Sequence, residues 1–147
     1  MNQNSENTKI GKEFQEKTIN ILENYYDIAL DSNVKIPIGN PAKDRKFDGV
    51  TKDKKYVITC KCFTWTETGN VPSAKLAAIN EIVFYMSYLP SNTKKIIALS
   101  KSYNIKKNET LAEYYYRTNK HLINDIELVE IDTSSNKVNV ITKQGEI

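Results

Sequence analysis

Two residues near the middle of the chain have types and spacing that could act on a charged substrate. Asp48 precedes a glycine, and Lys61 follows thirteen positions later inside an otherwise apolar run, residues 56–63. A lysine held among apolar neighbours loses the hydration that favours its ammonium form, unless an anion lies close to it. A carboxylate, a metal-bound hydroxide or a phosphate could be that anion.

The run that contains Lys61 is predicted to be a β-strand, whose side chains alternate between two faces. Thr59 and Lys61 would then share one face. The opposite face carries small or apolar side chains that suit a core: Ile58, Cys60 and Cys62. A polar turn at residues 52–55 separates this strand from the segment that holds Asp48. A hairpin through that turn would therefore bring Asp48 alongside Lys61.

The elements around this hairpin follow from periodicity and from turn residues. Residues 1–8 are polar and are expected to be disordered, and residues 9–147 are expected to form a single domain. The pattern predicts helices over 9–26, 73–89 and 109–123, and strands over 33–38, 45–51, 56–65, 94–100, 126–132 and 137–142. This order predicts an α/β fold of the α+β type, in which helices flank both faces of a central mixed sheet.

Two strands and one helix in this series carry further signals. Pro37 indicates an edge strand or the end of a strand, because proline cannot donate to a ladder. Residues 94–100 are apolar at their centre, which is typical of a central strand. The helix over 73–89 is apolar on two sides, and Glu81 interrupts its alanine-rich side, where small residues allow close approach to a sheet.

Composition limits the classes of function. The net charge of +3 is compatible with nucleic acid but does not demand it. There is no apolar run long enough to span a membrane and no signal-peptide pattern, so a cytoplasmic protein is expected. Cys60 and Cys62 would need two more ligands to hold zinc, and the chain has one histidine, so structural burial is the preferred interpretation.

Asp48 and Lys61 in a strand–turn–strand context resemble the PD-(D/E)XK nuclease superfamily. The preceding helix and the following one fit that superfamily's αβββαβ core, and the likeness covers roughly residues 9–100. The beginning of the first helix, from Gly11 to Gln15, is similar to the G-x-x-F-E helix of Mrr-type restriction nucleases. The resemblance implies that Asp48 and the Cys60 carbonyl bind Mg²⁺ or Mn²⁺, and that Lys61 is the catalytic lysine.

The chain departs from this pattern at two positions. Thr59 stands where the superfamily has an acidic residue, and Gln15 stands where the Mrr-like helix has glutamate. Some restriction enzymes of the superfamily move the missing carboxylate onto the next helix, which makes Glu81 a candidate. Glu13 and Glu67 are further candidates for that carboxylate. Loss of catalysis, or an alteration of position 59, is the remaining explanation.

Basic and aromatic residues near these positions could contact nucleic acid. Trp65 follows the lysine strand and could stack on a base or wedge into a groove, or it could cover a hydrophobic edge. For Lys61 itself, the alternative is a lysine that protects an edge strand from aggregation. Basic residues that bracket Asp48 could contact phosphates, and a solvated hairpin is the alternative for them. They are Lys43, Arg45, Lys46, Lys52, Lys54 and Lys55, and Lys75 is a further candidate.

The resemblance implies a Mg²⁺-dependent endonuclease that hydrolyses phosphodiester bonds in DNA, in restriction, phage defence or a mobile element. A homodimer is expected, because cutting both strands of a duplex with so small a domain requires two sites. The alternative is a catalytically inactive domain of the same fold that binds nucleic acid or a protein partner.

Overall fold

The computed structural model describes the backbone of residues 3–142 and the side chains of residues 7–142. The helices are α1 (Gln3–Tyr26), α2 (Ser73–Met86) and α3 (Leu111–Asn119), and a short 3-10 helix, Lys120–Leu122, follows α3. The strands are β1 (Asp31–Ile38), β2 (Lys43–Val50), β3 (Tyr56–Lys61), β4 (Lys94–Ser100), β5 (Tyr103–Asn104), β6 (Glu109–Thr110), β7 (Ile126–Asp132) and β8 (Lys137–Val140).

Within these residues, one mixed sheet has the strand order β1–β2–β3–β4–β7–β8. The first three strands are antiparallel neighbours, β3, β4 and β7 are parallel, and β8 returns antiparallel to β7. The predicted mixed sheet is confirmed, with Pro37 in an edge strand and β4 near the centre. Because β3, β4 and β7 are parallel, their carboxyl ends lie at one edge of the sheet.

Each face of the sheet has its own core. On one face α1 packs against the strands through alternate residues, and on the other face α2 and α3 do so. Full burial of each large apolar side chain contributes about 2 kcal/mol. Representative members of the α1 core are Phe14, Leu22, Ile58, Ile96 and Val129. Representative members of the opposite core are Val57, Leu76, Ile79, Ile97 and Leu128.

Polar contacts join the two helices that share a face. The Tyr115 hydroxyl donates to Asn80 Oδ1 at 2.6 Å, and Asn80 Nδ2 donates to Asn119 Oδ1 at 3.3 Å. Tyr115 is fully buried, so its hydroxyl needs this partner. The described residues include no helix long and apolar enough to cross a membrane.

Most observed boundaries differ from the predicted ones by a few residues, and three differences are larger or add an element. Helix α1 begins at Gln3 and so includes residues 3–8, which the sequence analysis assigns to a disordered segment. Strand β3 ends at Lys61 rather than at 65, since the chain turns away to a loop. The β5–β6 hairpin is an addition, because two-residue strands are too short to give a periodic pattern. Residues 143–147 of the expected domain lie outside the described residues.

Candidate active site

The candidate site lies where β2 separates from β3. These strands pair through Gly49 with Ile58 and through Val50 with Val57. Beyond Gly49, β2 continues to pair with β1 as far as Lys43, while β3 continues to pair with β4 as far as Lys61. A wedge therefore opens between two neighbouring strands of the sheet, with Asp48 at its narrow end.

The Asp48 carboxylate replaces a backbone contact at this opening. Thr51 N donates to the Tyr56 carbonyl at 3.1 Å, and in an antiparallel ladder such bonded pairs recur at every second position. Continuation of the ladder would direct the Cys60 amide to the backbone of residue 47. Instead, Cys60 N donates to Asp48 Oδ2 at 2.8 Å. The bond fixes a buried carboxylate beside the strand that carries Lys61.

Gly49 lies next to Asp48 in an irregular part of β2 and in close contact with α1. Phe47 and Val50 both pack in the α2–α3 core, although residues three apart on a regular strand face opposite sides. Gly49 faces α1 so closely that a Cβ there would lie 2.5 Å from Ile19 Cδ1. A larger residue at 49 would have to displace Ile19, which explains why a glycine follows the aspartate.

Two cavities meet at this opening, one on each face of the sheet. The α1-side cavity, of about 890 Å³, lies between the first half of α1 and the ends of β1, β2 and β3. The α2-side cavity, of about 370 Å³, lies between β2, β3 and α2. Lys46, Asp48 and Lys61 line both cavities. The site is therefore accessible from either face of the sheet.

Lys61 is half-buried and occupies the last position of an interior strand. β3 lies between β2 and β4 in the sheet, but β2 has separated from β3 at Lys61, so this residue pairs with β4 alone. As predicted from alternation, Thr59 and Lys61 face α2, while Ile58 and Cys60 pack in the α1 core. Within residues 7–142, the Lys61 ammonium forms no ion pair and no hydrogen bond. Its charge is thus left for a ligand that enters the cavities.

Of the three candidate carboxylates, Glu81 is the one that lies in a cavity with Asp48 and Lys61. It lines the α2-side cavity together with Asp48, Thr59 and Lys61. The Tyr85 hydroxyl, one helical turn further along α2, donates a hydrogen bond to Glu81 Oε1. This bond raises the pKa of Tyr85, so the phenol stays a donor. The Arg45 guanidinium of β2 lies 4.2 Å from the Tyr85 ring centroid, which ties α2 to β2 at the cavity.

The other two candidate carboxylates lie elsewhere. Glu13 is exposed on α1, pairs with Lys9 at 4.0 Å and lines neither cavity. Glu67 is exposed in the loop after β3 and borders a separate cavity. By contrast, Gln15 does line the α1-side cavity, where its Nε2 donates to Asn33 Oδ1 at 2.9 Å.

Some of the predicted nucleic-acid contacts line these two cavities, and others do not. Lys46 and Lys75 line the α1-side cavity, and Arg45 lines the α2-side cavity, whereas Lys43 lines neither. Trp65 is buried: its Nε1 donates to the Ser102 carbonyl at 3.0 Å, and its ring contacts Tyr114 edge-on. Burial leaves no ring face on which a base could stack, so covering a hydrophobic edge is the role that fits Trp65.

The chemistry of the donors suits a hard cation. Mg²⁺ is bound by oxygen, through one or two carboxylates with water and substrate phosphate. Asp48 and Glu81 offer two carboxylates to one cavity, and the Cys60 carbonyl lies on the adjoining strand. Thr59 is buried and neutral, so its hydroxyl adds a weak ligand at most. The described residues hold no group of three or more His, Cys, Asp or Glu side chains arranged to bind a metal.

The cysteines beside Lys61 are free thiols. Cys60 is buried, and burial, reinforced by the nearby Asp48 carboxylate, raises the pKa of its thiol far above the usual range. The Cys60 side chain is therefore an uncharged core residue, as the sequence predicts, and a nucleophilic role is excluded.

Two features of the site escape sequence reasoning. The first is the Glu81–Tyr85 pair, for which the sequence signal is the i, i+4 spacing that lets helix side chains meet. Asn33 has a positive φ of 56° opposite the irregular part of β2, and no sequence pattern indicates its contact with α1.

Comparisons of the chain with family models, with curated proteins and with solved structures gave no match.

Proposed function

We propose that this protein is a Mg²⁺-dependent endonuclease that hydrolyses phosphodiester bonds in DNA, with a site of the PD-(D/E)XK type. One observation carries the proposal. The α2-side cavity gathers Asp48, Lys61 and Glu81 around Thr59, at a point where two neighbouring strands separate. Lys61 forms no ion pair with a described side chain, although it shares this cavity with two carboxylates. Such a lysine suits a phosphate ester that arrives with its own negative charge.

Each residue has a distinct task in this proposal. The Lys61 ammonium neutralises charge that builds on the phosphate oxygens as water attacks phosphorus and the ester oxygen departs. Asp48, held by the Cys60 amide, presents its remaining carboxylate oxygen to the cavity. A bound Mg²⁺ would supply Lewis-acid stabilisation and a more acidic water.

Glu81 takes the place of the carboxylate that Thr59 lacks. A carboxylate on an exposed helix face loses side-chain entropy when it is fixed in one position. Here Tyr85 reduces that cost, since its hydroxyl already holds Glu81 and its ring is held by Arg45. This preorganisation supports Glu81 as a ligand rather than an ordinary surface charge.

DNA is the proposed substrate because of the charges that line the two cavities. The α1-side cavity carries Lys12, Lys46 and Lys75 besides Lys61, against two carboxylates, Glu16 and Asp48. Such a surface attracts a polyanion through its phosphates, without selecting its sequence.

Plasmid cleavage with Mg²⁺ or Mn²⁺ tests the proposal. Wild type should nick or linearise the plasmid, and Asp48→Asn should not, although asparagine still offers an oxygen to the Cys60 amide and preserves the fold. Asp44→Asn, the same change at an exposed residue of β2 that lines neither cavity, is the matched control and should retain full activity. Equal cleavage by wild type and Asp48→Asn, or none on any DNA or RNA, would refute the proposal.

One observation favours the second candidate function, a catalytically silent domain that binds nucleic acid. Position 59 is buried beside Lys61 and carries no charge. If this domain has lost its acid, wild type should bind DNA without cutting it, and Thr59→Glu should restore cleavage. Cleavage by wild type that Thr59→Glu does not increase would exclude this candidate.

A homodimer and a cytoplasmic setting belong to the same proposal. Two copies would supply one site for each strand of a duplex, and the free thiols of Cys60 and Cys62 suit a reducing compartment. Sedimentation equilibrium measures the oligomeric state directly. A monomer that nicks only one strand would remove the dimer from the proposal.

A further inference from the structure

The β5–β6 hairpin, residues 103–110, presents apolar and basic side chains that the candidate site does not use. Ile105 is 85% exposed and Tyr103 is 52% exposed. Lys106 and Lys107 follow directly and are also exposed. A single exposed apolar residue is ordinary. Here, however, two of them share an eight-residue hairpin with two adjacent lysines.

The tip of this hairpin is held in one conformation. The buried Asn104 side chain accepts hydrogen bonds from Lys106 N at 3.0 Å and Lys107 N at 3.2 Å. Its Nδ2 donates to the Gly69 carbonyl at 2.9 Å, and Asn108 N donates to the Asn104 carbonyl at 2.8 Å. Ile105 is therefore held outward by a rigid turn, which lowers the entropy lost when a partner binds.

The hairpin lies at the same edge of the sheet as Lys61. It follows the carboxyl end of β4, where Leu99 is the neighbour of Lys61 in the parallel ladder. Beyond the ladder, Ser100 Oγ donates to the Phe63 carbonyl at 2.8 Å, and Trp65 N donates to Ser102 Oγ at 3.1 Å. Ile105 is six residues beyond Leu99, so it lies at most roughly 25 Å from Lys61, counting one step between neighbouring strands and six residues of extended chain.

We propose that this hairpin binds duplex DNA beside the candidate site, with Lys106 and Lys107 on phosphates and Ile105 against the minor groove. The inference rests on the proposed function for its ligand. The distance to Lys61 is well under one helical turn of B-DNA, about 34 Å, so one duplex reaches both. Exposed apolar side chains beside basic ones are the combination that minor-groove contacts use.

The charges around the tip agree with a polyanionic partner. Glu109, at the base of the hairpin, is neutralised by Arg117, whose Nη2 lies 2.8 Å from its Oε1. Glu67 is the acidic residue among those that line the adjoining cavity. The two tip lysines form no ion pair within residues 7–142.

Fluorescence anisotropy with a labelled duplex tests the inference, in the Asp48→Asn background so that the DNA stays intact. Each lysine–phosphate contact contributes about 0.9 to the slope of log affinity against log salt. The double variant Lys106→Gln/Lys107→Gln should bind at least tenfold more weakly, with a slope shallower by about 2. Ile105→Ser should weaken binding several-fold and leave the slope unchanged.

The control is Lys52→Gln/Lys55→Gln, an equal change of charge in the exposed turn at the other end of β3, which should bind like the background. Unchanged binding by both hairpin variants, while the background binds DNA, would overturn the inference and leave the proposed function intact. No binding by the background would overturn both. If the hairpin variants lose binding to anionic vesicles while their DNA binding is unchanged, the inference is also overturned, in favour of a membrane partner.

Discussion

Two lysines of the central sheet lie at opposite ends of the parallel strands, and their surroundings differ. Lys95, at the beginning of β4, is 4% exposed, and its ammonium lies 2.8 Å from Asp125 Oδ2. Lys61, at the end of β3, is less buried, yet its ammonium has no ionic partner among the described side chains. The amino-terminal end of the strands is internally neutralised, whereas the carboxyl-terminal end is not.

The difference separates a charge that is compensated within the fold from one that we propose acts on a ligand. A buried charge is tolerated in a fold when a partner and hydrogen bonds compensate the lost hydration. Asp125 gives Lys95 that compensation within the chain. Lys61 instead faces two cavities that also contain carboxylates, and it forms no ion pair with them. A ligand that enters the cavities can therefore supply the anion that compensates its charge. The two lysines should therefore respond oppositely in assays of stability and of activity.

The largest effect is expected at the carboxylate that accompanies Lys61. Glu81→Gln should raise the Mg²⁺ concentration for half-maximal plasmid cleavage about 100-fold, because loss of a coordinating group weakens metal affinity by such factors. The unfolding midpoint should stay unchanged, since Glu81 is exposed. Glu67→Gln removes an equal charge from another cavity and should cleave normally. Equal metal dependence in the two variants would show that Glu81 is a plain surface charge.

Asp125→Ala tests the ion pair of Lys95, at the amino-terminal end of the parallel strands. Removal of the partner leaves the Lys95 ammonium buried and unpaired, so the free energy of unfolding should fall by about 2 kcal/mol. Cleavage by the folded fraction should not change. Glu109→Ala, which removes the partner of the exposed Arg117 guanidinium, should cost less than about 1 kcal/mol, because the charge left behind stays in water. Urea titration compares the two variants, and equal losses would contradict the assignment of Lys95.

A smaller effect concerns Tyr115, another buried group whose partner lies within the chain. Tyr115→Phe removes the hydrogen bond to Asn80, so stability at neutral pH should fall by about 1 kcal/mol. Burial raises the pKa of Tyr115 from 10.0 to about 12. Because the folded pKa is the higher one, the stabilising contribution is complete below pH 10 and disappears as pH rises through about 12.

Denaturant titrations across this alkaline range measure that dependence. Wild type should lose stability between pH 10 and pH 12, and Tyr115→Phe should lose less over the same interval. Tyr88→Phe, at an exposed tyrosine, should follow wild type. If wild type and Tyr115→Phe have the same alkaline slope, Tyr115 does not titrate with folding.

The sequence predicts the sheet better than it predicts the site. Strand β4 is found at its predicted bounds because an apolar run between a proline and a lysine leaves little choice. The face shared by Thr59 and Lys61 follows from alternation alone. The need for glycine at position 49 does not, because it comes from Ile19, which approaches from a helix thirty residues away. Trp65 was ambiguous for the same reason, since its partners, Ser102 and Tyr114, are distant in sequence.

The most direct test of the central claim compares the two lysines in one assay. Methionine keeps the length of the lysine side chain and removes its charge, so Lys61→Met and Lys95→Met are matched substitutions. Initial rates of plasmid cleavage are measured with Mg²⁺ at equal concentrations of folded protein. Lys61→Met should lose about 10²–10³-fold in rate, as expected for removal of one group that stabilises transition-state charge, and Lys95→Met should cleave like wild type. Equal rates in the two variants would contradict the assignment of Lys61 as the catalytic lysine.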